Sequence, residues 1–267
     1  IACLGDSTTF GVFSQDERET YPRQLESFLR MSGGCETCEV LNLGTNGYGT
    51  LHGAILMKET VPALKADAVI AYFGWNDRTR IVGWQDHREK IQFVQSPWNR
   101  SALVRWLIRT SDPWIQNLRF SRKLRFFAGP SWVKHGAALA EVEENLKTFI
   151  KRSREKGIAP VLVTTPWGWP EEFLTKYTLA MPAEKQAMTP SVYSMVYNIH
   201  QYNDLVRKTA EETGALFVDL EAVFRKIPSK ERPSFFYSDF MHPNSQGAHL
   251  IAESLAPAVH DVIKNST

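Results

Sequence analysis

The chain opens with Ile1-Ala2-Cys3-Leu4-Gly5-Asp6-Ser7-Thr8-Thr9, an apolar run that ends in a glycine followed by polar side chains. The run does not alternate between apolar and polar residues, which predicts a parallel strand covered on both faces. Gly5 permits a tight turn at the end of this strand. The hydroxyl of Ser7 would then lie at the carboxyl edge of a sheet, where open α/β folds bind their ligands.

Further apolar runs alternate with stretches that have the apolar spacing of helices. The predicted strands are Ile1–Leu4, Val40–Leu43, Ala68–Phe73, Val161–Thr164 and Leu216–Val218. This alternation predicts an α/β fold in which a parallel sheet of about five strands lies between helices. Since no internal repeat or low-complexity linker is present, we expect the 267 residues to form a single domain.

One segment, residues 78–135, departs from the alternation because it is rich in tryptophan and arginine. We interpret it as an insertion after the third strand, partly helical near residues 101–109. A helical cap packed by its aromatic side chains is one interpretation. A lid over the site, or a surface that meets an anionic or lipid interface, are the alternatives.

Composition narrows the range of partners. The formal net charge of +2 is too small to favour nucleic-acid binding. No apolar run approaches the roughly 18 residues of a membrane-spanning helix, so we expect no integral membrane segment. The sequence begins inside a strand pattern without a methionine, which predicts N-terminal processing. This favours an extracytoplasmic or membrane-tethered location and leaves a signal peptide or anchor upstream as an open alternative.

The three cysteines form no obvious framework. Cys3 lies in the first strand and is expected to be a small core residue. Cys35 and Cys38 could form a local disulfide or remain two inert thiols.

A nucleophile and its base are suggested by two distant blocks. Ser7, in the first block, is the candidate nucleophile. The alternative interpretation is a serine that only caps a helix. In Ser238-Asp239-Phe240-Met241-His242-Pro243, the imidazole of His242 could accept a proton from a hydroxyl near neutral pH. Asp239, three residues earlier, could fix the orientation of the ring. An Asp-containing turn with an incidental histidine is the alternative for this block.

Two further blocks could stabilise the negative charge of a tetrahedral intermediate. Gly47, in a glycine-rich loop after the second strand, could donate its backbone N–H, and Asn76, just past the third strand, could donate its side-chain amide. Both loops follow strands, so both belong to the same sheet edge as Ser7. Asp6 and Asp77 are expected to hold their loops by hydrogen bonds to backbone amides.

Tryptophans are the candidate substrate contacts. Trp167 and Trp169 follow the fourth strand, and Trp75 adjoins Asn76, so all three belong to this edge. They could line an acyl or sugar pocket or simply cover the core. The remaining histidines show no metal-ligand spacing such as H-E-x-x-H, so no metal is expected.

These blocks resemble those of SGNH hydrolases in the GDSL esterase/lipase superfamily. The G-D-S block corresponds to Gly5–Ser7, the block-two glycine to Gly47, G-x-N-D to Gly74–Asp77, and D-x-x-H to Asp239–His242. The resemblance implies a flavodoxin-like three-layer α/β/α sandwich and a catalytic triad of Ser7, His242 and Asp239. It also implies an oxyanion hole formed by the amides of Ser7 and Gly47 with the Asn76 side chain, and no metal or organic cofactor.

The expected function is therefore that of a serine esterase, which hydrolyses carboxylic esters with short acyl or O-acetyl groups through an acyl-enzyme. The alternatives are a carbohydrate O-acyltransferase or deacetylase acting on a polysaccharide, a lipase or thioesterase, and a non-catalytic binding domain. The expected partner is a small-molecule, glycan or lipid ester. The sequence indicates no particular oligomeric state.

Overall fold

The computed structural model describes residues 1–31, 35–78, 135–170 and 192–266. These residues form five strands: β1 (Ala2–Gly5), β2 (Leu41–Asn42), β3 (Ala68–Tyr72), β4 (Ala159–Val163) and β5 (Leu216–Val218). The same part of the chain forms eight α-helices: α1 (Ser7–Phe10), α2 (Tyr21–Met31), α3 (Thr50–Glu59), α4 (Trp75–Arg78), α5 (His135–Glu155), α6 (Val192–Thr213), α7 (Leu220–Arg225) and α8 (Ser245–Ser266).

The strands form one parallel sheet in the order β2-β1-β3-β4-β5. Within it, Cys3 of β1 pairs with Asn42 on one side and with Ile70 on the other. β2 lies on one side of β1, and the next strand in the chain, β3, lies on the other side. The direction in which strands are added therefore reverses at β1. Loops after neighbouring strands diverge at such a switch point and leave a crevice at the carboxyl edge. The predicted parallel sheet is confirmed.

The strand bounds differ from the predicted ones by one residue in β1, β2 and β3 and by up to two residues in β4. This strand begins at Ala159, two residues earlier than predicted, and the N–H of Ala159 donates to the carbonyl of Asp67 at 2.9 Å. The predicted strand began after Pro160, a residue that has no N–H to give to a ladder. In the structure Pro160 nevertheless holds its register position, opposite Val69.

Helices cover both faces of the sheet. Successive side chains of β1 point to opposite faces, so Ala2 and Leu4 enter one apolar cluster and Cys3 the other. The first cluster contains residues of α3, α5 and α6, and the second contains residues of α2, α7 and α8. The predicted three-layer α/β/α sandwich is thereby confirmed.

The described residues belong to one compact unit, which comprises Ile1–Thr79, His135–Pro182 and Pro190–Thr267. A second unit, Arg80–Lys134 with Ala183–Thr189, lies outside the described residues. The predicted insertion at 78–135 falls almost wholly there, so the interpretations of that segment stay predictions. Among the described helices, none is both long and apolar enough to cross a membrane.

The cysteines follow one of the predicted alternatives. Cys35 and Cys38 are joined by a disulfide, and Cys3 is a free thiol with no exposed surface. Burial raises the pKa of the Cys3 thiol to about 12, which keeps it protonated and unreactive at neutral pH. Its role as a small core residue is confirmed.

Gly5 generates a prediction about stability. A Cβ at this position would lie 1.9 Å from Thr9 Oγ1 and 2.5 Å from the backbone oxygen of Tyr72. Since that oxygen belongs to a central strand and cannot move aside, we expect Gly5→Ala to lower the free energy of unfolding by about 3 kcal/mol. Urea denaturation followed by circular dichroism measures this loss.

The matched control is Gly157→Ala. Gly157 has a positive φ of 70°, and an added Cβ there would meet no atom within 4 Å. The control variant should therefore lose only about 1 kcal/mol, from the left-handed backbone alone. Equal losses in the two variants would contradict the steric argument for Gly5.

Candidate active site

Ser7 is the first residue of α1 and follows β1 after a single residue. Asp6 caps this helix: its Oδ1 accepts the N–H of Thr8 at 2.9 Å and the hydroxyl of Thr8 at 2.7 Å. Gly11 ends the helix with φ 78°, and its N–H donates to the carbonyl of Ser7 at 3.0 Å. Both ends of one short turn are thus fixed by hydrogen bonds, which places Ser7 at the carboxyl edge of β1, as predicted.

His242 reaches this serine from the loop before α8. Its Nε2 lies 2.7 Å from Ser7 Oγ, and its Nδ1 lies 2.5 Å from Asp239 Oδ2. An ionised carboxylate only accepts hydrogen bonds, so Nδ1 carries the proton and Nε2 accepts from the serine hydroxyl. The structure therefore brings together all three residues predicted as nucleophile, base and orienting acid.

The loop around His242 is held by its own backbone. Tyr237 N–H donates to the carbonyl of His242 at 2.9 Å, and Phe236 and Pro243 form an antiparallel bridge. Phe240 adopts a positive φ of 58°, and its carbonyl accepts the N–H of Gly168 at 2.8 Å. These contacts fix the base before any ligand binds.

The environment of Asp239 favours its ionised form. Burial pushes the pKa of this carboxyl upward, but hydrogen bonds from the His242 ring and from the backbone amides of His242 and Met241 outweigh burial and lower it. Asp239 is consequently a carboxylate at neutral pH, which is the form that holds an imidazole in one tautomer.

The two predicted oxyanion donors follow the strands on either side of β1: Gly47 lies in the loop after β2, and Asn76 lies in α4, just after β3. Gly47 is exposed and has a φ of 80°, with open space where a side chain would stand. Asn76 Nδ2 donates to the carbonyl of Tyr48 at 2.9 Å. A side-chain amide carries two hydrogens, so this bond fixes the orientation of Asn76 and leaves one hydrogen for another acceptor. The roles of Gly47 and Asn76 in the reaction stay predictions.

Asp77, next to Asn76, is hydrogen-bonded to Thr50 at the start of α3, just after the Gly47 loop. Its carboxylate accepts the N–H of Thr50 at 3.0 and 3.1 Å and the hydroxyl of Thr50 at 2.9 Å. A Cβ on Gly49 would lie 2.6 Å from its Oδ1, so glycine is needed for this close approach. Burial raises the pKa of Asp77 to about 7, although the hydrogen bonds from Thr50 oppose that rise. The expected role in holding a loop is confirmed for Asp77, as it is for Asp6.

Asp6 is also buried close to the nucleophile. Burial raises its pKa despite the hydrogen bonds from Thr8 and the nearby His242. Its second oxygen, Oδ2, has no hydrogen-bond partner in the described part of the chain. Asp6 is thus a buried carboxyl group next to the nucleophile, held through one of its two oxygens.

The predicted tryptophans lie in the core at this edge. Trp75 and Trp169 contact each other edge to face, with ring centroids 5.8 Å apart, and Trp169 also packs on Phe240 of the His242 loop. Trp167 packs against His200, and the Arg232 guanidinium lies over its ring. Their burial corresponds to the alternative of core cover, and direct contact with substrate stays a prediction.

Phe13 also lies at this site, although it was not predicted from the sequence. Its ring contacts the His242 ring edge to face, with centroids 5.0 Å apart, and contacts Tyr237 at 5.4 Å. Phe10 and Phe13 are each 50% exposed. The signal was present in the sequence, since two aromatic residues flank Gly11 directly after the nucleophile block.

Other histidines have structural partners. His52 Nδ1 accepts the N–H of Gly49 at 3.1 Å, and His200 Nδ1 pairs with the buried carboxylate of Glu221. Within the described ranges, no group of three or more His, Cys, Asp or Glu side chains is arranged to hold a metal ion.

Residues 3–250 match the sequence profile of the GDSL-like lipase/acylhydrolase family. The chain belongs to this family. It is accordingly a carboxylic ester hydrolase by class, and the resemblance seen in the sequence blocks is confirmed. None of the curated proteins matches the sequence.

Solved structures share the fold at low sequence identity. One is an acetyl-xylooligosaccharide esterase from Geobacillus stearothermophilus, 19% identical, with a TM-score of 0.57 over 98% of this chain and 92% of that one. Another is the acetyl xylan esterase AlAXEase, 16% identical, with a TM-score of 0.58 over 97% of this chain and 100% of that one. A third is LAE5, an α/β hydrolase from the metagenome of Lake Arreo in Spain, 19% identical, with a TM-score of 0.56 over 98% and 94%.

The raised pKa of Asp77 predicts how stability depends on pH. In the unfolded chain this carboxyl ionises near 3.8, whereas in the fold its pKa is about 7. Between these two pKa values the folded state binds more protons than the unfolded state. The contribution of Asp77 to the free energy of unfolding is therefore largest below about pH 3.8 and is lost as the pH rises through about 7. Asp77→Asn removes this titration. As the pH rises from about 4 to about 8, the free energy of unfolding of the variant should therefore increase relative to that of the wild type, as measured by urea denaturation.

Asp67→Asn, at an exposed aspartate, is the matched control for the substitution. If the difference in free energy of unfolding between wild type and Asp77→Asn stayed constant across this pH range, the raised pKa of Asp77 would be contradicted.

Proposed function

We propose that this protein is a serine esterase that cleaves short-chain acyl or O-acetyl esters through an acyl-enzyme on Ser7. The observation that carries the proposal is the continuous chain of hydrogen bonds from Ser7 Oγ through the His242 ring to Asp239, with distances of 2.7 and 2.5 Å. A hydroxyl becomes a competent nucleophile when a positioned base accepts its proton.

In the proposed reaction Ser7 Oγ attacks the acyl carbon while His242 Nε2 accepts the hydroxyl proton. The carbonyl oxygen becomes an oxyanion, to which the amides of Ser7 and Gly47 and the side chain of Asn76 donate. The imidazolium then gives its proton to the leaving alcohol as the acyl C–O bond breaks. Water repeats the sequence on the acyl-enzyme: His242 accepts its proton, the acid is released, and the proton returns to Ser7.

Asp239 assists without exchanging a proton. Its ionised carboxylate stabilises the imidazolium and keeps Nε2 free to accept from Ser7. Asn76, oriented by the Tyr48 carbonyl, is directed before the reaction begins, and a donor fixed in advance stabilises an oxyanion without reorganising in the transition state.

An O-acetyl group on a carbohydrate is the proposed substrate. Support comes from the fold shared with proteins described as acetyl xylan and acetyl-xylooligosaccharide esterases. It also comes from the half-exposed aromatic ring of Phe13, which contacts the His242 ring. Transfer of the acetyl group to a second sugar hydroxyl would use the same acyl-enzyme, and product analysis with an added sugar acceptor distinguishes it from hydrolysis.

The proposal predicts that Ser7→Ala lowers kcat on p-nitrophenyl acetate by at least about a thousandfold, since no other hydroxyl replaces the nucleophile. Ser27→Ala is the matched control, because Ser27 lies on the exposed face of α2 and its hydroxyl donates to the carbonyl of Arg23. Initial rates of p-nitrophenol release measure both. Equal rates in wild type and Ser7→Ala would reject the mechanism.

Asp239→Asn tests the orienting acid. An amide in place of the carboxylate can donate to Nδ1 and so favours the tautomer in which Nε2 carries the proton. We expect a loss in kcat of about a hundredfold to ten-thousandfold, with KM little changed. The same esterase assay measures it, and a kcat within about twofold of wild type would show that Asp239 does not serve the base.

A further inference from the structure

Resting on the proposed function, we infer that Phe13 forms the binding surface for the alcohol part of the ester, and that this alcohol is ring-sized, as in an acetylated pyranose. The ring of Phe13 contacts the candidate base and is half exposed, which places an open apolar surface directly beside His242.

The chemistry of the base fixes where the alcohol lies. The imidazolium has to donate its proton to the departing oxygen, so that oxygen comes within hydrogen-bond reach of His242 Nε2. The amide donors in the loops after β2 and β3 bind the other oxygen of the ester. The remainder of the alcohol therefore extends along the His242 side of Ser7. Among the described residues, Phe13 is the aromatic residue whose ring contacts His242.

Phe13 is held in place by the nucleophile turn itself. Gly11 and Val12 both donate their N–H to the carbonyl of Ser7, at 3.0 and 3.2 Å, and the N–H of Ser14 donates to the carbonyl of Gly11 at 3.0 Å. Tyr237, from the loop that carries His242, supports the Phe13 ring at 64° to its plane. The ring is consequently fixed relative to both the nucleophile and the base before substrate binds.

The exposed surface of Phe13 suits a particular class of alcohol. A phenyl ring offers no hydrogen-bond donor or acceptor at its periphery, so it binds through an apolar face. A pyranose presents a face of C–H groups of similar width, whereas ethanol or methanol would cover only a small part of the ring. We therefore expect Phe13 to discriminate among esters by their alcohol and not by their acyl group.

The test compares two acetate esters that differ only in the alcohol: a mono-O-acetylated methyl pyranoside and ethyl acetate. Phe13→Ala should lower kcat/KM on the sugar ester by about tenfold, mainly through KM, and should leave ethyl acetate within about twofold of wild type. The pH profile on ethyl acetate should not move. Phe10→Ala is the matched control, because Phe10 is equally exposed but makes no ring contact with His242 among the described residues.

A second experiment measures how tightly the sugar itself binds, with no sugar ester being cleaved. The unacetylated methyl pyranoside should inhibit ethyl acetate hydrolysis in wild type and in Phe10→Ala, and about tenfold more weakly in Phe13→Ala. Circular dichroism checks that each variant is folded.

The outcomes separate this inference from the proposed function. Equal losses by Phe13→Ala on both esters, or a displaced pH profile, would mean that the ring only supports His242, and would overturn the inference alone. Sugar inhibition unchanged in Phe13→Ala would also overturn it. A wild-type protein that hydrolyses neither ester would overturn the proposed function together with the inference.

Discussion

The hydrogen bond between Ser7 Oγ and His242 Nε2 joins residues 235 positions apart, and the organisation of the site depends on it. Neither partner is placed by its neighbours in sequence alone. Ser7 is fixed by β1 and by the turn that Asp6 and Gly11 close. His242 is fixed by a loop that precedes α8, whose apolar face shares one core cluster with α2 and the sheet. Burial of that cluster therefore sets the distance between nucleophile and base.

Three carboxyl groups at this edge have distinct electrostatic environments. Asp239 is partly buried, but hydrogen bonds from the His242 ring and from two backbone amides outweigh that burial, so its pKa is lowered. Asp6 caps α1 and Asp77 holds the N-terminus of α3. At both positions burial outweighs the favourable contacts and raises the pKa of the carboxyl group. The lowered pKa of Asp239 supports the proposal that this carboxylate serves the base, whereas the contacts of Asp6 and Asp77 hold the loops of the scaffold.

Much of the fold and site followed from the sequence, because continuous apolar runs identify buried parallel strands and the polar residues after them mark one edge. What the sequence did not reveal depends on tertiary packing. Phe13 is exposed because the turn after α1 directs it outward onto His242, which comes from the far end of the chain. The pKa of Asp77 depends on Thr50 and on its burial, neither of which is encoded near residue 77. The pairing of Cys35 with Cys38 was one of two open alternatives.

The most direct test of the central claim is covalent labelling of the folded protein with a fluorophosphonate, followed by mass spectrometry of its peptides. We expect one adduct, on Ser7, and labelling at least about a hundredfold slower in His242→Ala, since the base that activates the hydroxyl is gone. An unlabelled Ser7, or labelling at the same rate in the two proteins, would contradict the account.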